Sequence, residues 1–503
     1  MIGLVVAEDQ RRAGELVAAA LVRSVGPHLV VPGSGGESIT VSVGDVDVGR
    51  SRSKRVHFGR LPADLRRMLG AEDVAPLDPA EYSAAPAAPY QSSESGYAVQ
   101  YGSRARLLGG ETWRRPFARY DFADEWNKFG DGAIVSGAPE WDIGEPVRVA
   151  EQVELAAIND ASGRHRASYA ALVQADDTAV LWFNRPVGPI DSFEWRLVES
   201  FLSSFGAPVL PIVPVISEIP AGFDTLVSAR LDCDEDIESA REIWDAYDGM
   251  GTPLSLAIHT RLLESGAVPP LLVEASQRSG AVLAHSATHA ANWGGSREAA
   301  QREASLSAEA IARATGMRPS YAVSPFHQTP PYAIEGLVDA GFAGCIGGAI
   351  SGDPAFNMAR SGRLAGAPAG FVGLSGQCML HGDCLMADDP ISHYRQAFDL
   401  AFESGTAFFY LDHPFSSRYQ YGWRDESQRI GAHRELLAHI GRRATRPLFL
   451  SAGDAMDFVA QRAATTVRAS GDGFEVEAVE GAGLQVGVEY GGRQHRVSGR
   501  MLL

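Results

Sequence analysis

Five acidic and histidine residues have the types and spacing needed to hold and use a metal ion. Asp232 and Asp234 lie in the stretch RLDCDED, His285 and His289 in HSATH, and His413 in YLDHP. Two imidazoles and one carboxylate form a ligand set for a catalytic divalent ion, typically Zn²⁺, and leave positions open for water and substrate. A second carboxylate could then act as general base and a separate histidine as general acid. The combination predicts metal-assisted acid–base chemistry.

Each of these motifs has a simpler interpretation when it stands alone. An Asp-x-Asp sequence at a strand end is typical of a helix cap or a solvated turn. Two histidines four residues apart can be hydrogen-bonded in a helix or loop, and a His-Pro pair is commonly structural. Their occurrence at corresponding ends of successive predicted strands favours one shared site.

Short apolar strands alternate with helical stretches in the second half of the chain. The strands are TLVSARLD, TPLSLAIHT, SGAVLAHS, SYAVSP, FAGCIGG, GFVGLSG and TAFFYLDHP. Alternating strands and helices indicate a parallel sheet, and about seven such units predict a closed or partly open barrel over residues 221–463. In such barrels the reactive residues lie at the carboxyl ends of the strands, which is where the three motifs occur.

Two further regions flank the predicted barrel, as expected for a chain of 503 residues. Residues 1–210 contain GLVVAE, the helical QRRAGELVAAALVRSV and the alternating SITVSVGDVDV, and predict an N-terminal α/β domain whose role the sequence does not indicate. The proline-rich APVLPIVPVISEIPAGF marks the boundary to the barrel. Residues 465–503 show glycine-punctuated alternation and predict a small antiparallel β appendage.

Composition argues against several kinds of partner. The net charge is −18, from 44 Lys and Arg against 62 Asp and Glu, so nucleic acid is not an expected partner. No apolar stretch is long enough for a transmembrane segment, and MIGLVVAEDQRR lacks the features of a signal peptide, which predicts a cytoplasmic protein. Four cysteines without a C-x-x-C motif predict reduced thiols. The oligomeric state is left open.

In their order along the chain, RLDCDED, HSATH and YLDH resemble the motifs of the NodB-homology polysaccharide deacetylases, of the carbohydrate esterase family 4 type. The resemblance implies an α/β fold with a distorted (β/α)7-type barrel. It implies that Asp232 is the base, that Asp234, His285 and His289 hold the metal, and that His413 is the acid. The implied cofactor is a divalent ion, with Zn²⁺ as the first choice and Co²⁺ or Ni²⁺ as alternatives.

The chain departs from the family pattern in three places. Cys233 separates two aspartates that are usually adjacent, which leaves open which aspartate holds the ion, with Asp236 as a further alternative. The arginine-containing motif is not recognisable, and Pro325, Phe326 and His327 end a strand at the corresponding place, where they are expected to shape a sugar pocket. No Asp-Trp motif is visible, so that Asp383 or His381 either orients His413 or lies in a polar loop. The expected substrate-binding residues are Pro325, His327, Asp383, Tyr419, Tyr421 and Trp423.

The resemblance implies hydrolysis of the N-acetyl group of an amino sugar. The expected substrate is a nucleotide- or lipid-linked precursor, or an oligosaccharide, in surface polysaccharide biosynthesis. One alternative with the same chemistry is deacylation of a small non-sugar amide. Another is a catalytically silent sugar-binding or scaffold module of the same fold, although the presence of all five expected residue types argues against it.

Overall fold

A computed structural model describes most of the chain. The described residues are 1–33, 37–46, 48, 54–78, 97–116, 139–175, 177–189, 192–264, 266–347, 360–374, 377–380, 391–420, 422–479, 481 and 483–503.

The N-terminal part is built on a mixed nine-stranded sheet. Strands up to the boundary region are β1 (Ile2–Val6), β2 (Val30–Pro32), β3 (Ile39–Val43), β4 (Lys54–Phe58), β5 (Glu72–Asp73), β6 (Ala98–Tyr101), β7 (Arg114–Pro116), β8 (Val147–Arg148), β9 (Glu154–Asn159), β10 (His165–Ala175), β11 (Thr178–Phe183) and β12 (Val215–Ile216). Helices are α1 (Arg11–Val25), α2 (Ala63–Leu69) and α3 (Ser192–Ser203). The sheet order is β2-β1-β3-β4-β11-β10-β9-β6-β7, parallel from β2 to β11 and antiparallel from β11 onward.

The second large sheet is parallel and alternates with helices along the chain. Its strands are β13 (Thr225–Cys233), β14 (Ser255–Ile258), β15 (Val282–Ala284), β16 (Tyr321–Val323), β17 (Gly344–Ile346), β18 (Val372–Leu374), β19 (Gln377–Met379), β20 (Phe408–Asp412) and β21 (Pro447–Leu450). The helices are α4 (Arg241–Gly249), α5 (Pro270–Ser276), α6 (Arg297–Thr315), α7 (Pro331–Asp339), α8 (Ser392–Ser404), α9 (Glu426–Arg443) and α10 (Ala452–Ala464). Every residue of the central strand β13 is buried, as expected for a parallel strand covered on both faces.

The parallel sheet is strongly curled. Its order is β18-β17-β16-β15-β14-β13-β20-β19, with β21 pairing the first half of β13. The two end strands, β18 and β19, are separated by only residues 375–376, and three steps between successive Cα atoms span at most about 11 Å. The ends of the sheet therefore approach each other, and the expected fold class, a distorted α/β barrel, is confirmed.

The last part of the chain is antiparallel, as predicted. Its strands are β22 (Thr466–Ser470), β23 (Gly473–Ala478), β24 (Val486–Tyr490), β25 (Arg493–Val497) and β26 (Gly499–Leu502). They form one sheet in the order β22-β23-β26 and a second in the order β12-β24-β25. The boundary segment thus contributes a strand to the appendage, which the sequence did not indicate.

All seven strands predicted for the barrel are present, six of them within the quoted run, and β13 extends one residue further to Cys233. The sequence missed β19 and β21, since QCM and PLFL are too short to show a periodicity. Cys233, Cys345 and Cys378 are free thiols, and Cys384 lies outside the described residues. Across the described part of the chain, no helix combines the length and the apolar character needed to cross a lipid bilayer.

Candidate active site

The carboxyl end of β13 carries three charged side chains. Successive strand residues point to opposite faces, so Arg230 and Asp232 share one side of β13 whereas Leu231 and Cys233 occupy the other, and Asp234 directly follows the strand. Arg230 Nε donates to Asp232 Oδ1 at 2.8 Å, and Arg230 Nη2 donates to Asp232 Oδ2 at 3.2 Å. Both side chains are buried. The sequence analysis missed this ion pair, although strand alternation would have placed the two residues together.

Both aspartates are ionised at neutral pH. Burial alone would raise their pKa values, but Arg230 and His285 lower the pKa of Asp232 to about 2. For Asp234, burial is again outweighed, and His285, His413 and His289 hold the pKa of its carboxyl group well below the usual range. The two carboxylates therefore face a common cluster of imidazoles from the end of one strand.

The HSATH loop after β15 is fixed by Glu303 of α6. Glu303 Oε2 accepts from the backbone N–H groups of Ala287 at 3.0 Å and Thr288 at 2.8 Å. Ser286 Oγ accepts from the backbone N–H of His289 at 2.9 Å. Ser286 and His289 have φ angles of 61° and 56°, a left-handed conformation that costs about 1–2 kcal/mol in a residue with a Cβ atom. The hydrogen bonds stabilise this turn, and the turn brings the two histidines together.

Three donor atoms converge at this end of the sheet. His285 Nδ1 donates to the carbonyl oxygen of Val323 at 3.1 Å, which leaves its Nε2 as a lone-pair donor. His285 Nε2 lies 3.1 Å from His289 Nε2, and Asp234 Oδ1 lies 3.3 Å from the first nitrogen and 3.6 Å from the second. Such a group needs a proton or a cation between its members.

A divalent ion fits this donor set. Donors bound tetrahedrally to Zn²⁺ at 2.0–2.2 Å lie about 3.3–3.6 Å from one another, close to the separations of 3.1–3.6 Å found here. Burial and the charge of His285 lower the pKa of His289 to about 4. Burial also opposes protonation of His285, but Asp232 and Asp234 raise the pKa of its imidazole above the usual value. Because its pKa is low, the imidazole of His289 is neutral at physiological pH and available as a ligand.

His413 approaches the same carboxylate from the opposite side. It follows β20, the neighbour of β13, and its Nε2 lies 3.8 Å from Asp234 Oδ2. The ring of Tyr419 stacks on the His413 imidazole, with centroids 4.5 Å apart and an interplanar angle of 14°. His413 is almost entirely buried. The structure thus brings together all five residues that the sequence analysis grouped into one site.

The backbone of His413 is held by a buried polar network. Its N–H donates to Asp412 Oδ1 at 2.8 Å, and its carbonyl oxygen accepts from Arg429 of α9. Asp412 Oδ2 also accepts from His433 Nε2 at 3.0 Å, and His433 Nδ1 accepts from the hydroxyl of Tyr247, 2.7 Å away. No motif links these residues in the sequence, so the sequence analysis did not find them.

The segment after β16 borders the candidate metal centre with an aromatic ring. Pro325 and His327 are buried, whereas Phe326 between them is 46% exposed and its ring centroid lies 4.6 Å from that of His289. Phe326 and His327 have φ angles of 51° and 55°. Two successive residues with Cβ atoms in this region cost about 1–3 kcal/mol each, and strain of this kind concentrates at functional sites. The ring of Phe326, which the sequence analysis placed beside Pro325 and His327 at this strand end, is the exposed part of the segment.

Of the remaining residues expected to contact substrate, the two that the structure describes are buried. Tyr419 is 5% exposed, and its hydroxyl donates to Asp234 Oδ2 at 2.8 Å. Trp423 is buried in the hydrophobic core. Asp383 and Tyr421 lie outside the described residues, as does His381.

One further histidine at this rim was missed. His259 follows β14, and its Nδ1 donates to the backbone carbonyl oxygen of Asp234 at 3.1 Å. Its ring centroid lies 5.6 Å from that of His289. The rule that located the other residues, polar groups at carboxyl ends of parallel strands, would have included it in AIHT.

The fold and the site together define an α/β barrel protein with a candidate metal centre of two histidines and one aspartate. No family model and no curated protein matches the sequence. Among solved structures, the chain is similar to Agd3, described as a novel carbohydrate deacetylase, with 11% identity and a TM-score of 0.38, over 100% of this chain and 99% of that chain.

Two other similar structures match less than half of this chain. One is a family 4 acetyl xylan esterase from Clostridium thermocellum in complex with cobalt, with 11% identity and a TM-score of 0.31, over 45% of this chain and 88% of that chain. The other is BA3943 of Bacillus anthracis, described as a CE4 family pseudoenzyme, with 10% identity and a TM-score of 0.31, over 45% of this chain and 64% of that chain.

Proposed function

We propose that this protein is a metal-dependent N-deacetylase of the NodB-homology type that acts on an N-acetylated amino sugar. The observation that carries the proposal is that Asp234 Oδ1, His285 Nε2 and His289 Nε2 lie close enough together to bind one metal ion. Asp232 and His413 lie beside these three donor atoms. Two imidazoles and a carboxylate favour Zn²⁺, and Co²⁺ or Ni²⁺ would fit the same donors. A divalent ion held there supplies the Lewis acidity that polarises an amide carbonyl.

The two carboxylates have different surroundings, which supports separate roles. Asp234 Oδ1 faces the two ligand histidines, so Asp234 is the proposed ligand. Asp232 is paired with Arg230 instead, which keeps it ionised and able to accept the proton of the attacking water. This arrangement favours Asp232 as the base and leaves no task for Asp236, whose side chain caps the turn at Glu238 and Ser239.

His413 is the proposed acid. Its Nε2 approaches the site across Asp234 from the two ligand histidines, so it can reach the nitrogen of an amide whose carbonyl carbon faces Asp232. Water adds to the carbonyl carbon and transfers a proton to Asp232. The C–N bond then breaks as His413 protonates the departing amine, and the products are acetate and a free amino sugar.

The proposal is tested by metal analysis and acetate release together. Purified wild type is expected to contain about one divalent ion per chain, and His285→Ala is expected to lose it, because one of three ligands is removed. The matched control is His439→Ala, which removes another histidine paired with an aspartate, 2.9 Å from Asp399 and remote from the ligand set.

Acetate release is measured with nucleotide-linked, lipid-linked and oligosaccharide N-acetyl amino sugars and with small non-sugar amides. Release from a sugar donor supports the proposal. Wild type without a stoichiometric ion, or His285→Ala with its ion unchanged, would refute the site. A metal-loaded wild type that releases no acetate from any donor would leave a sugar-binding module as the better interpretation.

A further inference from the structure

The loop after His413 folds back onto the loop that carries the metal ligand Asp234. Ser416 Oγ donates to Glu235 Oε2 at 2.7 Å, and Arg418 Nη1 lies 3.8 Å from Glu235 Oε1. Tyr419 lies in the same segment, and its backbone N–H donates to Ser416 Oγ at 3.1 Å. The two loops that carry the proposed acid and the proposed ligand are therefore joined directly.

Tyr419 makes two contacts that matter for the chemistry. Its hydroxyl donates to Asp234 Oδ2 at 2.8 Å, while Oδ1 of the same carboxylate faces His285 and His289. Its ring lies nearly parallel to the imidazole of His413. One side chain thus determines which oxygen of Asp234 is presented to a metal and how the imidazole of His413 is oriented.

We propose that Tyr419 is a positioning residue for both parts of the site. Its hydroxyl holds Asp234 so that only Oδ1 serves as a ligand, and its ring holds His413 for proton delivery. Hydrogen bonds from neighbouring side chains to metal ligands orient those ligands in this way, and their loss typically weakens metal binding 10–100-fold. The effect on metal binding depends only on the ligand set, whereas the effect on His413 rests on the proposed function.

The experiment compares Tyr419→Phe, which removes the hydroxyl and keeps the ring, with Tyr419→Leu, which removes both. The dissociation constant for Zn²⁺ is measured by competition with a chelating dye. It is expected to rise about 10–100-fold in both variants, because both lose the hydrogen bond to Asp234. At saturating Zn²⁺, kcat for acetate release is expected to be about tenfold lower in Tyr419→Leu than in Tyr419→Phe, with similar KM. The reason is that the leucine variant loses the stacked ring, whereas the phenylalanine variant keeps it.

The matched control is Tyr321→Phe. Tyr321 is also buried and donates to an aspartate, with 2.6 Å between its hydroxyl and Asp457 Oδ1, but it lies in β16 and contacts none of the five site residues. Zn²⁺ affinity and kcat are expected to equal those of wild type, whereas the midpoint of thermal unfolding reports the general cost of losing a buried hydroxyl.

The outcomes separate this inference from the proposed function. Zn²⁺ affinity in Tyr419→Phe equal to that of wild type would overturn the role of the hydroxyl, and so would an equal loss in Tyr321→Phe. Equal kcat in Tyr419→Phe and Tyr419→Leu would overturn the role of the ring. If wild type binds Zn²⁺ but releases no acetate, the proposed function fails, while the affinities still decide whether Tyr419 positions Asp234.

Discussion

Two buried polar clusters in this molecule contain similar groups but differ in how they are satisfied. In the N-terminal sheet, Ser42 Oγ donates to His57 Nδ1 at 2.7 Å and accepts from Arg55 Nε at 3.0 Å. His57 Nε2 donates to the carbonyl oxygen of Arg60 at 2.7 Å. Both nitrogens of this histidine are used by the protein itself, so the cluster is closed.

The cluster at the end of the parallel sheet is open. His285 uses Nδ1 within the protein, but its Nε2 meets another imidazole nitrogen at 3.1 Å and a carboxylate oxygen at 3.3 Å. Buried histidines are therefore not in themselves a sign of chemistry. What distinguishes the site is a set of acceptor atoms that face one another and need an external partner.

The largest contrast is expected on removal of a carboxylate charge. Asp232→Asn should lower kcat about 10²–10⁴-fold, since this is the usual contribution of a positioned base, while the metal stays bound. Acetate release and metal content are measured on the same preparation. Asp64→Asn is the matched control, because Asp64 also pairs with an arginine, Arg55, but lies in the N-terminal region. Loss of the metal in Asp232→Asn would show that the roles of the two aspartates are exchanged.

A smaller effect, on stability, is expected for the closed cluster. Burial and the charge of Arg55 lower the pKa of His57 to about 3. Between about pH 6.5 and 3 the unfolded chain therefore binds more protons at His57 than the folded chain does. The contribution of neutral His57 to the free energy of unfolding is fully present above pH 6.5, and it falls by about 1.4 kcal/mol per pH unit on acidification. Urea unfolding at pH 7.5 and 5.5 should show a pH-dependent loss in wild type that is smaller by about this amount in His57→Gln.

The comparison with His57→Gln isolates one residue, because other histidines titrate equally in both proteins. The free energy of unfolding at pH 7.5 should itself be lower in the variant by about 1–3 kcal/mol, since buried hydrogen bonds are lost. Acetate release should not change. An unaltered pH dependence would mean that His57 is not held neutral by its surroundings.

The smallest expected effect concerns the exposed ring beside the ligands. Phe326→Ala should raise KM for a sugar donor about 5–10-fold, because an aromatic contact contributes about 1 kcal/mol. Initial rates over a range of substrate concentrations measure it. Leu107→Ala removes an apolar side chain of similar exposure, 55%, from the N-terminal region. A similar change in KM for both variants would contradict a specific contact at Phe326.

Much of this architecture could be predicted because it is encoded locally. Apolar runs of four to eight residues predict buried strands, and the carboxyl-end rule then places Asp232, His285 and His413 at one rim. Strand alternation places Cys233 on the opposite face from Asp232, and Cys233 is fully buried.

The supporting contacts could not be predicted because they join segments that are far apart in the sequence. Glu303 fixes the HSATH loop from α6, and Arg429 holds His413 from α9. No periodicity or motif in the sequence predicts the partner of either residue. Tyr419 was expected to contact sugar, and no sequence pattern indicated that its hydroxyl also donates to Asp234. Side-chain pairing of this kind is decided by packing.

The extended backbone at the end of β13 fixes the spacing between Asp232, the proposed base, and Asp234, the proposed ligand. Two residues along an extended strand advance about 6.6 Å, so Asp232 and Asp234 share one face with Cys233 between them, whereas adjacent aspartates within a strand would point to opposite faces. The insertion or loss of one residue would turn Asp234 towards the hydrophobic core. The site therefore depends on the length of the segment from Asp232 to Asp234 more than on the lengths of the loops around it.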